Sequence, residues 1–175
     1  GGTGFTGRDV TPEAVEPLFE KKMDGFSTMF LLVSEKKIGT SAIQTRATAG
    51  VANATYIFCL PGSPGACKDA WDEILLHQLD YRYRPCNFVE ILPRLDEHLA
   101  DRARLAGRYE EGAALLQRLV RDYPRDPRAP LAAFSLGRML FAELGRPAEA
   151  ARAFARARAL APDGPLAREA LAREA

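Results

Sequence analysis

The chain has 175 residues, enough for one domain or two small ones. Hydrophobic residues make up 47% and the formal net charge is +1, which describes a soluble globular protein and gives no cause to expect nucleic acid or an anionic membrane as partner. The longest apolar runs, such as Met29-Phe30-Leu31-Leu32-Val33, are too short to span a bilayer, and no signal peptide precedes Gly1.

The chain opens on Gly1-Gly2-Thr3-Gly4-Phe5-Thr6-Gly7-Arg8-Asp9. Its glycines allow positive φ and close approach to a ligand. Thr11-Pro12-Glu13 then reads as a helix start, with Thr11 as N-cap. A glycine loop feeding a helix suits a phosphate, and the Asp9 carboxylate suits the Mg²⁺ that travels with nucleotide phosphates; an ordinary loop is the alternative. Residues 12–22 place Val15, Leu18 and Phe19 on one helical face, and Phe26 to Glu35 has helical spacing with Phe26, Met29, Phe30 and Val33 as core. Ser41 is read as the N-cap of a short helix running through Arg46 and Ala49. Arg46 is either a solvated cation or a two-point grip on phosphate.

Ala54 to Leu60 is the clearest strand, and its nearly continuous apolar character suits burial on both faces. Pro61-Gly62-Ser63-Pro64 follows, leading into a helix from about Gly65 to Tyr81 with Ala66, Ala70, Ile74, Leu75 and Leu79 inward. That loop is where open α/β sheets bind ligands, or it is a plain turn with Ser63 capping the helix. Residues 82–88 lead out as an extended tail. Cys59, Cys67 and Cys86 form no CxxC and have no His nearby, so they read as reduced thiols of a cytoplasmic protein.

Residues 1–98 carry several motifs in order. Gly1-Gly2-Thr3-Gly4 with Arg8-Asp9-Val10-Thr11-Pro12-Glu13-Ala14, then Gly39-Thr40-Ser41, Gln44-Thr45-Arg46-Ala47, Gly50-Val51-Ala52-Asn53, Leu60-Pro61-Gly62-Ser63-Pro64-Gly65-Ala66 and Arg84-Pro85-Cys86-Asn87-Phe88 resemble the molybdopterin-binding (MoaB/MogA) family. The resemblance implies an incomplete three-layer α/β fold with a parallel or mixed sheet. The family's first strands and helices, and a further acidic residue of its active site, would lie before Gly1, and the missing initiator Met also reads as a fragment. It further implies molybdenum cofactor biosynthesis: molybdopterin as ligand, and its adenylylation with MgATP by a nucleotidyltransferase. By resemblance Gly2, Thr3 and Gly4 cradle phosphate, Asp9 is catalytic and holds Mg²⁺ or orients the phosphoryl group, and Ser41, Arg46, Gly62 and Ser63 line the molybdopterin site. Trimers or hexamers are the family's usual assemblies.

The second part changes style. All five lysines lie at or before Lys68, while alanine rises from 8 in residues 1–95 to 21 in residues 96–175. We read a boundary here, with residues 99–175 as a separate domain and a join of two unrelated sequences as one explanation. Gly107-Arg108 recurs as Gly145-Arg146, Glu111 as Glu149, Ala113 as Ala151 and Pro124 as Pro162, a spacing of 38. Tyr109, Ala113, Leu116, Val120 and Tyr123 form one apolar stripe, Ala151, Phe154, Ala157 and Leu160 or Ala161 another, and Leu131 to Leu144 is a helix with Phe134, Gly137, Leu140 and Phe141 inward. The pattern resembles the tetratricopeptide repeat: two helical hairpins plus a cap over residues 165–175, all α-helical. It implies a protein partner, and the arginines on its outer faces read as solvated. The rival functions are a non-catalytic interaction module carried by these repeats, and a fused, truncated chain with no activity of its own.

Overall fold

A computed structural model describes residues 1–174. The chain divides into two compact units, Gly1–Glu90 and a second beginning at Ile91. The first is α/β and the second all-helical, as expected; the expected boundary at residue 98 falls inside a helix that starts at Leu92. No helix among the described residues is long and apolar enough to cross a membrane.

In the first unit, β1 (Lys21–Lys22), β2 (Thr48–Ala52) and β3 (Thr55–Cys59) form one sheet in the order β1-β2-β3. Both pairings are antiparallel, with Lys21 opposite Val51 and Thr48 opposite Cys59. A parallel or mixed sheet was expected, but β2 and β3 are joined by Asn53-Ala54 alone, and parallel neighbours need a crossover of a dozen or more residues. Both turn residues have positive φ, 48° and 52°, the combination that matches a two-residue turn to strand twist. Ala54 accepts that conformation at about 1 kcal/mol. β3 is half-buried rather than enclosed on both faces; the enclosed strand is β2, whose Thr48, Ala49, Gly50 and Val51 are buried. Gly50 is required there, because a Cβ would stand 2.3 Å from the Phe19 ring.

The helix expected over residues 12–22 is shorter. α1 (Thr11–Val15) tightens into a 3-10 turn (Glu16–Leu18) and the chain then joins the sheet edge. The pairing of Lys21 and Lys22 with β2 outcompetes helix propensity. α2 is longer than expected, Asp24–Ile38, and buries Phe26 and Phe30 but leaves Met29 exposed. Residues 39–44 form a 3-10 turn instead of the helix placed after Ser41, and Arg46 leads into β2.

The helix after the Pro61–Ser63 loop runs as α3 (Pro64–Ala70), a π turn (Trp71–Leu75) and α4 (Leu76–Gln78), with Ala70, Ile74 and Leu75 buried but Leu79 exposed. Phe26 and Phe30 pack with Ala47, Ala49, Ala70, Ile74 and Leu75, each ring contributing about 1.5–3 kcal/mol by leaving water. Lys37 pairs with Asp69 at 2.6 Å and so ties α2 to α3. The expected extended tail is instead knotted around Asn87, which is 1% exposed. Its amide donates to the carbonyls of Tyr81 and Tyr83 and its oxygen accepts from Glu90 N–H.

The second unit holds α5 (Leu92–Leu105), α6 (Tyr109–Asp122), α7 (Ala129–Ala142), α8 (Pro147–Leu160) and the short α9 (Ala167–Ala172). α5 and α6 form one hairpin, α7 and α8 the next, and α9 lies against α8 as the cap; Ala175 of the expected cap lies outside the described residues. Gly107 and Gly145 end the first helix of each pair at φ 71° and 63°, the left-handed turn that the repeated Gly-Arg foretells. Phe134 and Phe154 meet edge-on at 5.3 Å. Gly137 makes room, since a Cβ there would stand 2.7 Å from Phe154. Phe141, expected inward, is exposed. Asp96 is buried on α5, and Arg118 of α6 reaches both its oxygens from Nε at 3.1 and 3.2 Å and also through Nη2.

Candidate functional site

The glycine loop folds back on itself and onto β2. Gly2 adopts φ 73°, and its carbonyl accepts from Thr11 N–H at 3.0 Å. Any side chain at Gly2 would collide with the Thr11 hydroxyl, 2.5 Å from a Cβ. That hydroxyl donates to the Gly1 carbonyl at 2.8 Å, so Thr11 anchors the loop rather than capping α1, whose N-cap is Val10. Thr3 is buried, and its carbonyl accepts from Arg46 N–H at 2.7 Å.

Asp9 closes the other end. Its Oδ2 accepts from Thr6 N–H at 2.8 Å and from the Thr6 hydroxyl at 2.6 Å. The Thr6 hydroxyl and amide, with the Gly4 amide, hold the carboxyl below the usual carboxylate range. Gly4 must lack a side chain, because a Cβ would lie 2.8 Å from Asp9 Oδ2. Arg46 is the brace: Nε donates to the Gly4 carbonyl at 2.9 Å, its other nitrogens reach the Asp9 carbonyl and Glu13, and the guanidinium lies over Phe5 at 5.6 Å. Its fork is thus directed at the chain itself.

The second loop meets the first. An ideal Cβ on Gly1 would lie 3.5 Å from Gly62 Cα, so the two backbones are in contact. Ser63 Oγ accepts from Ala66 N–H at 3.3 Å as the N-cap of α3. The N–H groups of Gly2, Thr3, Gly62 and Ser63 find no acceptor among the described residues. Backbone donors left open on adjoining loops are what an anion-binding concavity consists of.

Gly2, Thr3, Gly4, Asp9, Arg46 and Gly62 are therefore brought into one neighbourhood, with Ser63 next to Gly62. Ser41 is exposed on the 3-10 turn, and no hydrogen bond among the described residues ties it to either loop. Thr6 and Thr11 went unrecognised as the residues that hold the loop. The signal available was Thr6 lying three residues before Asp9, the spacing of a local carboxylate-to-backbone turn. A cleft of ≈ 840 Å³ lies beside Glu13, Lys22 and Asp24, and of the expected residues only Arg46 lines it. Its two cations are already paired, Lys22 with Glu16 at 2.8 Å and Arg46 with Glu13. With Asp24 also on its wall, that cleft does not suit an anion.

Residues 1–81 match the family described as a probable molybdopterin binding domain, and residues 99–165 and 139–173 match the tetratricopeptide repeat. The chain is thus similar to the molybdopterin-binding family over its first part and to tetratricopeptide repeats over its second. The chain is 54% identical over 88 residues to molybdenum cofactor biosynthesis protein B of Escherichia coli strain K12, covering 50% of this chain and 52% of that protein. Against the protein of the same name from Bacillus subtilis strain 168 it is 46% identical over 85 residues, 48% of this chain and 50% of that one. Among solved structures, the tungsten cofactor synthesizing protein MoaB from Pyrococcus furiosus is 38% identical, covering 45% of this chain and 51% of that one with a TM-score of 0.43. The chain thus spans about half the length of the curated relatives it matches.

The residues present were tested against the groups this family implies. A resident Mg²⁺ does not fit them: no cluster of three or more His, Cys, Asp or Glu forms among the described residues, and one oxygen of Asp9 is engaged by Thr6. A phosphate-bearing ligand does fit, through the open N–H groups of the two loops.

Proposed function

We propose that residues 1–90 belong to the binding site for molybdopterin, and that the site adenylylates this pterin in the complete domain. What carries the reading is the meeting of Gly1–Gly4 with Pro61–Ser63 and the four N–H groups left open there. Gly2 and Thr3 offer backbone donors to a phosphate, and Gly62 and Ser63 do so from the facing loop. Gly4 serves by having no side chain, which lets Asp9 close the turn. Arg46 acts as a positioning residue, fixing Gly4 and Asp9, rather than as a direct grip on the ligand. Ser41 lies too far outside this hydrogen-bonded set to be assigned a direct contact.

In the transfer, an oxygen of the pterin's phosphate attacks the α-phosphorus of MgATP, and pyrophosphate leaves with the electrons of the broken bond. The chain's part is to hold the acceptor phosphate in line and to exclude rotation of the loop, which is positioning rather than covalent catalysis. Isothermal titration with molybdopterin and with MgATP tests this. Heat that Asp9→Asn reduces about tenfold in affinity supports it, since the amide cannot accept from both Thr6 groups with a full charge. No heat with either ligand removes it for this chain.

The matched tetratricopeptide repeats favour a second role for the chain beside the first: residues 91–174 recruit a protein partner. A pull-down with the full chain and with its charge variants tests that role separately.

A further inference from the structure

The two hairpins present two grooves of unlike charge. One, ≈ 590 Å³, runs along α5 and α7, where Glu97, Asp101 and Glu143 outnumber Arg104 and Arg138. The other, ≈ 510 Å³, runs along α6 and α8 over a floor that includes Ala113 and Ala153. Its rim carries Gln117 and Arg121 from α6 and Arg152 and Arg156 from α8. At its N-terminal end Arg146 is used up, bonded to Glu110 at 2.6 Å and lying 3.9 Å from Glu149. Further along, Arg121 leans on Asp122 at 2.7 Å, while exposed Arg152 and Arg156 have no acidic partner among the described residues.

We propose that the groove between α6 and α8 docks an acidic segment of a partner protein, its carboxylates meeting Arg152 and Arg156. Two guanidinium groups one helical turn apart repel each other when nothing lies between them. An acidic chain converts that repulsion into two forked, bidentate contacts. Ala113 and Ala153, with Val120, Leu136 and Leu140, give the groove an apolar base, so a helix can lie along it with its own small or apolar residues down. Charge chooses the occupant: the groove's unpaired groups are cations, whereas the α5/α7 groove would repel the same segment. The glutamates Glu110 and Glu149 at one end set a polarity, so the acidic part of the segment lies past them, over Arg152 and Arg156. Nucleic acid is disfavoured by those glutamates and by the chain's net charge of +1.

This proposal rests on the reading of the repeats as a protein-binding unit. Fluorescence anisotropy of the full chain with a labelled helical peptide, glutamate on one face and leucine on the other, tests it. Saturable binding is expected, weakened about tenfold or more by the double change Arg152→Glu/Arg156→Glu and weakened by salt. The matching change Arg104→Glu/Arg138→Glu should leave it unaltered, and a lysine-faced peptide should not bind. Circular dichroism checks that the variants stay folded; should the glutamates unfold the chain, Arg152→Gln/Arg156→Gln replaces them and the same loss is expected. Binding that survives the α8 changes, or is lost only with the α5/α7 changes, overturns the groove and leaves the protein-binding reading standing. Competition by single-stranded RNA, or a double change that merely splits a dimer of this chain, names another occupant and also overturns it. No binding of acidic, neutral or basic peptides removes both.

Discussion

The two units bury their apolar side chains to very different extents. Among the described residues, thirteen of the large hydrophobic side chains left exposed lie in the first unit and five in the second, although the units are similar in length. In the first, α2 is apolar on more than one side: Phe26 and Phe30 face the core while Leu31, Leu32 and Ile38 face solvent. A helix of that kind is built to be covered on both sides. In the second, α6 turns Leu115, Leu116, Leu119 and Val120 inward and presents Glu110, Gln117 and Arg121 outward. A repeat closes its core against its neighbours, so a few repeats go far toward completing a surface. A layered α/β domain, by contrast, buries each helix between its sheet and whatever covers the helix's other side.

If the units are as separate as their cores, the largest effects should stay within one of them. Phe30 and Phe154 are each 1% exposed, in different core clusters. Replacing either by Ala should cost about 3–5 kcal/mol. We expect Phe154→Ala to lower the helical unit's thermal transition and leave the other in place, with Phe30→Ala doing the converse. Both transitions moving together in scanning calorimetry would break the comparison. A smaller effect is expected from Asp96→Ala. It removes a buried carboxylate but leaves Arg118 able to reach water, its side chain 36% exposed. The loss should be about 1–3 kcal/mol, read from the denaturation midpoint of the helical unit alone.

The same contrast governs how much could be read from the sequence. The repeat was legible because each hairpin is local: Gly107 and Gly145 mark the turns, and Leu116, Val120, Phe154 and Ala157 mark the faces. Phe141 was misplaced because it lies one position past the stripe of a helix that is apolar almost all round. In the first unit the motifs pointed to the family resemblance and the glycine loop, but not to the sheet. Lys21 and Lys22 form a strand only because β2 is there to pair with, a non-local cause that no window of sequence contains. Thr48 and Ala49, expected at the end of a helix, likewise lie in a strand because β3 pairs with them. Arg46 could be recognised as belonging near the loop; that its fork points at Gly4, Asp9 and Glu13 depends on residues 33 to 42 positions away.

That brace gives a sharper test of the first unit. Arg46→Lys keeps the charge but cannot reach three acceptors with one ammonium. With the Arg46 side chain 28% exposed, the expected loss is local, about 1.5 kcal/mol or roughly tenfold in loop opening. Amide exchange of residues 2–9 should quicken by that factor, while exchange in α6 and α8 stays unchanged. No change in the loop would mean that Thr6 and Thr11 hold it without Arg46.

The smallest expected effect is a pH dependence confined to the end of the first unit. Asp80 accepts from Arg82, through side chain and backbone, and its carboxyl is lowered to about 2 from 3.8. A carboxyl with a depressed folded value stabilises the folded state above its unfolded value, and that contribution disappears as pH falls from 3.8 through about 2. Both groups are at the surface, so salt screens the pair and the effect on global stability should be slight. The turn at residues 80–83 should nonetheless loosen over that window, seen as a change in the Tyr81 and Tyr83 signals by NMR. Asp80→Asn should abolish the change. A loosening that persists in Asp80→Asn would show that the Asp80–Arg82 pair is not its cause.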